Sequence, residues 1–276
     1  MSGWERLGRV PPRDLVDARR ALHHAAQIVS AAGITHLPAE TDDSHTNMEW
    51  VPALRALAGR PAGRERAFRL AVRPEGLELL LLDPDCRLRE NRALFGATVA
   101  EAYDWAAAVI GRVTGGSPRP LERPSWMIPA LGRERFSDSD GPALGELARW
   151  YGNAAHVLAG IAAAFDGASA VRCWPHHFDL ATLLPGGSPG RTVGVGLSPG
   201  DDSCREPYWY VSPYPYPGDP VVPTLPNGGR WHRDGFFAAV LAGGDLLSGG
   251  SEATQEFRTR EFLEAAVADC IRLLRG

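Results

Sequence analysis

The apolar positions along the chain change period several times, and each change predicts an element. Over residues 14–32, Leu15, Ala18, Leu22, Ala25, Ile28 and Val29 recur at helical spacing, which predicts a first amphipathic helix stopped by Gly33. Residues 40–50 form a polar loop with more hydrogen-bonding groups than a connector needs, among them His45 and Glu49. The apolar runs 68–72 and 77–82 flank Pro74-Glu75-Gly76 and predict a β-hairpin, closed by Asp83-Pro84-Asp85. Val99, Ala102, Tyr103, Ala106 and Val109 return to helical spacing over 98–110, with Gly111 as a stop. A Pro- and Gly-rich linker then leads to a long helix over 143–165, where Trp150, Tyr151, Val157 and Ile161 suit burial and His156 reads as a hydrogen-bonded core residue.

The C-terminal half alternates strand-like runs (170–184, 192–197, 208–211 and 231–241) with turns rich in Gly, Pro and Asp, and ends in a helix over 254–274. The expectation is an α+β fold. A mainly antiparallel sheet in the C-terminal half is packed by long helices, with an N-terminal helix and a β-hairpin before it. The expected domain is single, residues 1–276, divisible into an N-terminal part over 1–115 and a helix-plus-sheet part over 140–276 that carries the site.

Charge and composition narrow the function classes. The formal charge is 29 − 33 = −4 without a basic block, so a surface that tracks nucleic-acid phosphates is not expected. No apolar run approaches the roughly 20 residues of a membrane helix, and no basic stretch followed by an apolar core opens the chain, so the expectation is a soluble, cytoplasmic protein. Every basic side chain is arginine. Without a single lysine, Schiff-base chemistry, a pyridoxal phosphate anchor and a phosphate-loop lysine are all excluded. Cys86, Cys173, Cys204 and Cys270 are scattered without a C-x-x-C pair and read as reduced, inert thiols; the carboxylates near Cys204 are expected to raise its pKa.

The segment Trp174-Pro175-His176-His177-Phe178-Asp179-Leu180-Ala181 carries the most chemistry. On a continuous strand, His177 and Asp179 would share one face, and a distant His232 would complete a two-histidine, one-carboxylate set for a divalent metal such as iron, manganese or zinc. The order resembles the iron triad of the 2-oxoglutarate-dependent oxygenases, with His177, Asp179 and His232 at the matching positions; the arginine that family carries beyond the distal histidine has no counterpart in Val240-Leu241-Ala242-Gly243-Gly244. Without a metal, the same three would be general acid and base groups or a buried polar network. Asp201, in the turn Ser198-Pro199-Gly200-Asp201-Asp202, and the rings of Tyr208 and Tyr210, held extended by Pro213, Pro215 and Pro217, join His45 and Glu49 as candidate substrate contacts.

These last motifs, Phe178-Asp179-Leu180-Ala181, Ser198-Pro199-Gly200 and Pro207-Tyr208-Trp209-Tyr210 with the prolines that follow, together resemble a family of bacterial proteins classed as a domain of unknown function. The resemblance spans most of the chain and implies the domain architecture; it supplies no reaction. Two readings of function stand side by side. One is a small-molecule enzyme, metal-dependent or acid-base, built on His177, Asp179 and His232. The other is a noncatalytic ligand-binding or interaction protein, in which the aromatic segment is exposed, the histidines are scattered and the polar groups form a structural network.

Overall fold

A computed structural model describes residues 3–63 and 67–275. The protein combines helices with a large antiparallel sheet, an α+β fold, and divides into two compact units interleaved along the chain.

The first unit comprises Leu15–Ala148 and Arg172–Phe178. Helix α1 (Val16–His36) is buried over most of its circumference, in keeping with its run of Ala, Leu, Ile and Val. Strands β1 (Met48–Val51), β2 (Ala56–Gly59), β3 (Arg69–Arg73), β4 (Glu78–Leu82) and β5 (Leu88–Ala93) follow, all paired antiparallel. Helix α2 (Val99–Thr114) begins with a capping box: Thr98 Oγ1 accepts from the Glu101 N–H at 3.1 Å, and Glu101 Oε2 accepts from the Thr98 N–H at 2.7 Å. Helix α3 (Gly141–Ala163) starts in this unit and ends in the other. The three-residue β6 (Arg172–Trp174) pairs with β1, giving the order β6-β1-β2-β3-β4-β5. The β3–β4 pair is the hairpin the sequence predicts. β5, with the sequence LRENRA, is an edge strand whose charged, exposed side chains guard against further pairing.

Two glycines expected to stop helices do not. α1 continues three residues past Gly33, and α2 three residues past Gly111 to end at Gly115, in the left-handed conformation at φ 75°. Both internal glycines stand where another chain segment comes too close for a Cβ: a methyl at residue 33 would lie 2.4 Å from the His45 carbonyl oxygen, and one at residue 111 would lie 3.0 Å from Pro118.

The second unit comprises Met1–Asp14, Arg149–Val171 and Asp179–Gly276. Its strands are β7 (Asp179–Pro185), β8 (Thr192–Ser198), β9 (Tyr208–Tyr214), β10 (Arg230–His232) and β11 (Ala238–Ala242), in the order β10-β11-β9-β8-β7. The short helix α4 (Gly243–Leu246) leads to α5 (Glu252–Arg275), which packs over β8 and β9. Pleating therefore sorts the strands into two sets of side chains. Leu180, Val195, Leu197, Trp209, Val211 and Leu241 form the buried layer, and the rings of Trp209 and Trp4 stack at 6.5 Å. The N-terminal segment is clamped by two amide side chains. Asn153 exchanges hydrogen bonds with the backbone of Glu5 (2.7 and 2.8 Å), and Gln255 does the same for Leu7 (3.0 and 3.2 Å). Among the described residues, no helix is long and apolar enough to cross a membrane.

Candidate functional site

The other face of the second unit's sheet carries the aromatic segment. Antiparallel register places Arg230, Val240, Tyr210, Gly196 and Ala181 in one cross-strand row, and Tyr208 opposite Ser198 in the next. Gly196 has no side chain, and the Tyr210 ring occupies the space one would fill: a Cβ there would lie 2.7 Å from both Cζ and the hydroxyl oxygen. The ring thereby crosses β8, and its hydroxyl donates to Asp179 Oδ2 on β7. Tyr208 makes the parallel arrangement with Asp201, donating to Oδ2. Burial, and after it the hydrogen bond and charge of the carboxylate each one faces, pushes both tyrosines well above their usual pKa, so both remain donors. Their rings tilt toward each other with centroids 6.4 Å apart, in a cluster with Ala238, Val240, Cys204 and Phe236.

Asp201 also accepts from the N–H groups of Ser203 (2.7 Å) and Cys204 (2.8 Å), so one carboxylate shapes the loop and anchors Tyr208. Burial raises the Cys204 pKa, and the charges of Glu206 and Asp201 add to it, the direction expected of this thiol.

The continuous strands on which the expected metal site rests are broken. The run 170–184 is two strands interrupted by a turn at residues 175–178, so the alternation that would align His177 with Asp179 does not hold. Phe178 enters the left-handed region at φ 60° within that turn. The run 231–241 is likewise broken, between β10 and β11. His232 ends β10 and Asp179 begins β7, at opposite edges of the five-stranded order; four strand spacings, roughly 19 Å, separate the two strands, and the register sets His232 in the row of Leu183 rather than Asp179, whereas two donors of one ion stand within about 4 Å of each other. His232 Nε2 donates to the Asp234 carbonyl oxygen at 2.6 Å, and its ring lies 4.3 Å from Phe236. Among the described residues, no group of three or more His, Cys, Asp or Glu side chains is placed to hold a metal ion.

In the first unit, His177 is exposed in the turn, its ring 4.4 Å from His176, which in turn stands edge-on to Trp126 and Trp174. Two residues that sequence reasoning missed hold this turn. His23 Nε2 donates to the Pro175 carbonyl at 2.7 Å, Gln27 Nε2 donates to the same oxygen at 2.8 Å, and Trp126 Nε1 donates to Gln27 Oε1 at 2.8 Å. The signal was available: His23 and Gln27 stand four apart on α1, so they share a face among its apolar positions and need a partner. His45 is buried in a 3-10 turn, its Nδ1 accepting from the Glu40 N–H at 3.2 Å. Glu49, on β1, bridges Arg69 (2.7 Å) and Arg172 (3.3 Å). The expected contacts His45 and Glu49 therefore lie in the first unit, whereas Tyr208, Tyr210 and Asp201 lie in the second.

Comparison of the chain with protein-family models, with curated proteins and with solved structures finds no match.

Proposed function

We propose that this is a small-molecule-binding protein, and that its ligand is an organic cation received on the Tyr208–Tyr210 face of the second unit's sheet. One observation carries the reading: two neighbouring tyrosine rings whose hydroxyls are each held by a carboxylate, Asp201 and Asp179. A carboxylate accepting from a phenol enriches its ring in electron density, and two such rings attract a cation through their faces while Asp201 supplies negative charge beside them. The enzymatic alternative built on His177, Asp179 and His232 has less support, because Asp179 is engaged by Tyr210 and His232 stands at the far edge. The resemblance to a domain of unknown function brings no reaction, so the reading rests on geometry.

Choline is a suitable probe, observed by NMR titration of the purified chain. The expected result is saturable binding that Tyr210→Leu weakens at least about tenfold, the loss of a desolvated cation–π contact, and that Asp179→Asn also weakens. Unchanged choline binding in both variants would remove the proposal. Equilibrium dialysis against zinc, manganese and iron(II) addresses the alternative: one ion bound per chain and lost in both His177→Ala and His232→Ala would restore the metal-dependent enzyme.

A further inference from the structure

We propose a second binding site, in the first unit, for a free amino acid with an apolar side chain: the pocket between α2 and the segment that follows it. This pocket, of about 380 Å3, is lined on α2 by Tyr103, Asp104 and Ala107, and on its other wall by Leu121 and Arg123 with Pro118 and Pro120. Its volume falls in the range of about 300–1,000 Å3 typical of small-molecule sites.

The wall is held in place. Pro118 packs against Gly111 so closely that a Cβ there would lie 3.0 Å from it, the Glu122 N–H donates to Thr35 Oγ1 at 2.8 Å, and Arg119 Nη1 reaches the Thr35 carbonyl at 3.4 Å. The prolines add fixed φ angles.

Tyr103 points to a ligand. The residue is 8% exposed and lines the pocket, and its hydroxyl makes no hydrogen bond among the described residues. Burial pushes its pKa up to about 12, so the group remains a donor at neutral pH. A hydroxyl that no protein group engages is free to donate to an oxyanion seated in the pocket. The guanidinium carbon of Arg123 lies over the Tyr103 ring, 4.6 Å from its centroid, and pairs with no carboxylate among the described residues. Its planar fork of N–H donors matches a carboxylate. Asp104, exposed at the rim and likewise without a cation partner among the described residues, is placed to accept an ammonium and to repel a dianion such as phosphate. Ala107, Leu121 and the prolines offer an apolar side chain its surroundings. A carboxylate, an ammonium and an alkyl group on one small molecule meet all three demands.

Isothermal titration of the full chain with L-leucine, 4-methylpentanoate (the same carbon skeleton and carboxylate without the ammonium) and inorganic phosphate tests the site. L-Leucine is expected to bind at one site, with 4-methylpentanoate about tenfold weaker or more and phosphate weaker still. Arg123→Gln is expected to weaken leucine about tenfold or more, and Tyr103→Phe about fivefold with the melting temperature preserved. Asp104→Asn should erase the preference for leucine over 4-methylpentanoate. The proposal is overturned by the absence of saturable leucine binding at about 10 mM, by leucine affinity unchanged in Arg123→Gln, or by phosphate binding as tightly as leucine. Loss of leucine binding in Tyr210→Leu instead would move the ligand to the aromatic face and equally overturn it.

Discussion

Replacing Gly33 by alanine is expected to destabilise the protein by about 2 kcal/mol, against the ordinary helical trend. Alanine in place of glycine inside a helix normally stabilises by about 1 kcal/mol, because glycine gives up more backbone freedom on folding. At Gly33 the new methyl would stand 2.4 Å from the carbonyl oxygen of His45 and 3.4 Å from the Cα of Thr46. Those are backbone atoms that cannot rotate aside. His45 is buried and holds the Glu40 N–H, and the Thr46 carbonyl accepts from Ser30 Oγ of the same helix at 3.4 Å, so the 3-10 turn cannot retreat without breaking contacts. Overpacking of this kind costs about 1–3 kcal/mol and occasionally more, enough to reverse the propensity gain. Gly145 supplies the control: it lies in α3 with nothing within 4 Å of its missing Cβ, so Gly145→Ala should stabilise by about 0.5–1 kcal/mol. Urea unfolding of the three proteins at one temperature reads both effects. A Gly33→Ala protein as stable as the parent would mean that α1 and the His45 turn are not packed as described.

The same residue explains why helix boundaries were harder to read than helix positions. Glycine serves both as a helix stop and as a point of close approach, and one chain's letters do not distinguish the two. Gly33 and Gly111 are approach points, Gly115 is the stop, and only the neighbours His45 and Pro118 separate the cases. Local chemistry did announce the β3–β4 hairpin, since Pro74-Glu75-Gly76 sits between two apolar runs. β1 and β2 escaped notice because each is four residues long and Pro52 falls between them. β5 escaped because an edge strand built of Arg, Glu and Asn lacks the alternation that marks a half-buried strand.

The site was legible in composition and not in geometry. Alternation along 208–211 does separate Tyr208 and Tyr210 from Trp209 and Val211, as the sheet requires. The reading of 174–181 as one strand failed at Phe178, whose positive φ is the kind of turn conformation that glycine or asparagine usually advertises. Gly196 carried no signal at all. Its function, clearing the path by which Tyr210 reaches Asp179, exists only once three strands are in register. Clustered letters such as His-His-Phe-Asp therefore mark where polar groups concentrate, while the partners they find are set by pairings between distant segments.

Acid is expected to weaken the protein through His23, by an amount on the order of 3 kcal/mol. The residue is 8% exposed, its ring lies parallel to Phe178 at 4.6 Å, and its Nε2 donates to the Pro175 carbonyl. Burial lowers its pKa from 6.5 to about 4, against the opposing pull of that carbonyl and with smaller repulsions from His24, Arg19 and His176. The folded state thus holds the imidazole neutral where the unfolded chain would protonate it. Because the folded pKa lies below the unfolded one, the contribution to stability is fully present above about pH 6.5, and it is lost as pH falls toward 4; each pH unit of difference is worth about 1.4 kcal/mol. Burial lowers the pKa values of His24, His36 and His176 as well, so they add to the loss in the same direction. Comparing unfolding free energies between pH 7 and pH 4 for the parent and for His23→Gln isolates the residue. The variant should be less stable at pH 7, where it lacks the ring stacked on Phe178, and should lose less on acidification. Parallel curves for the two proteins would show that His23 titrates normally in the folded state and that the contact holding Pro175 to α1 is not sealed from water.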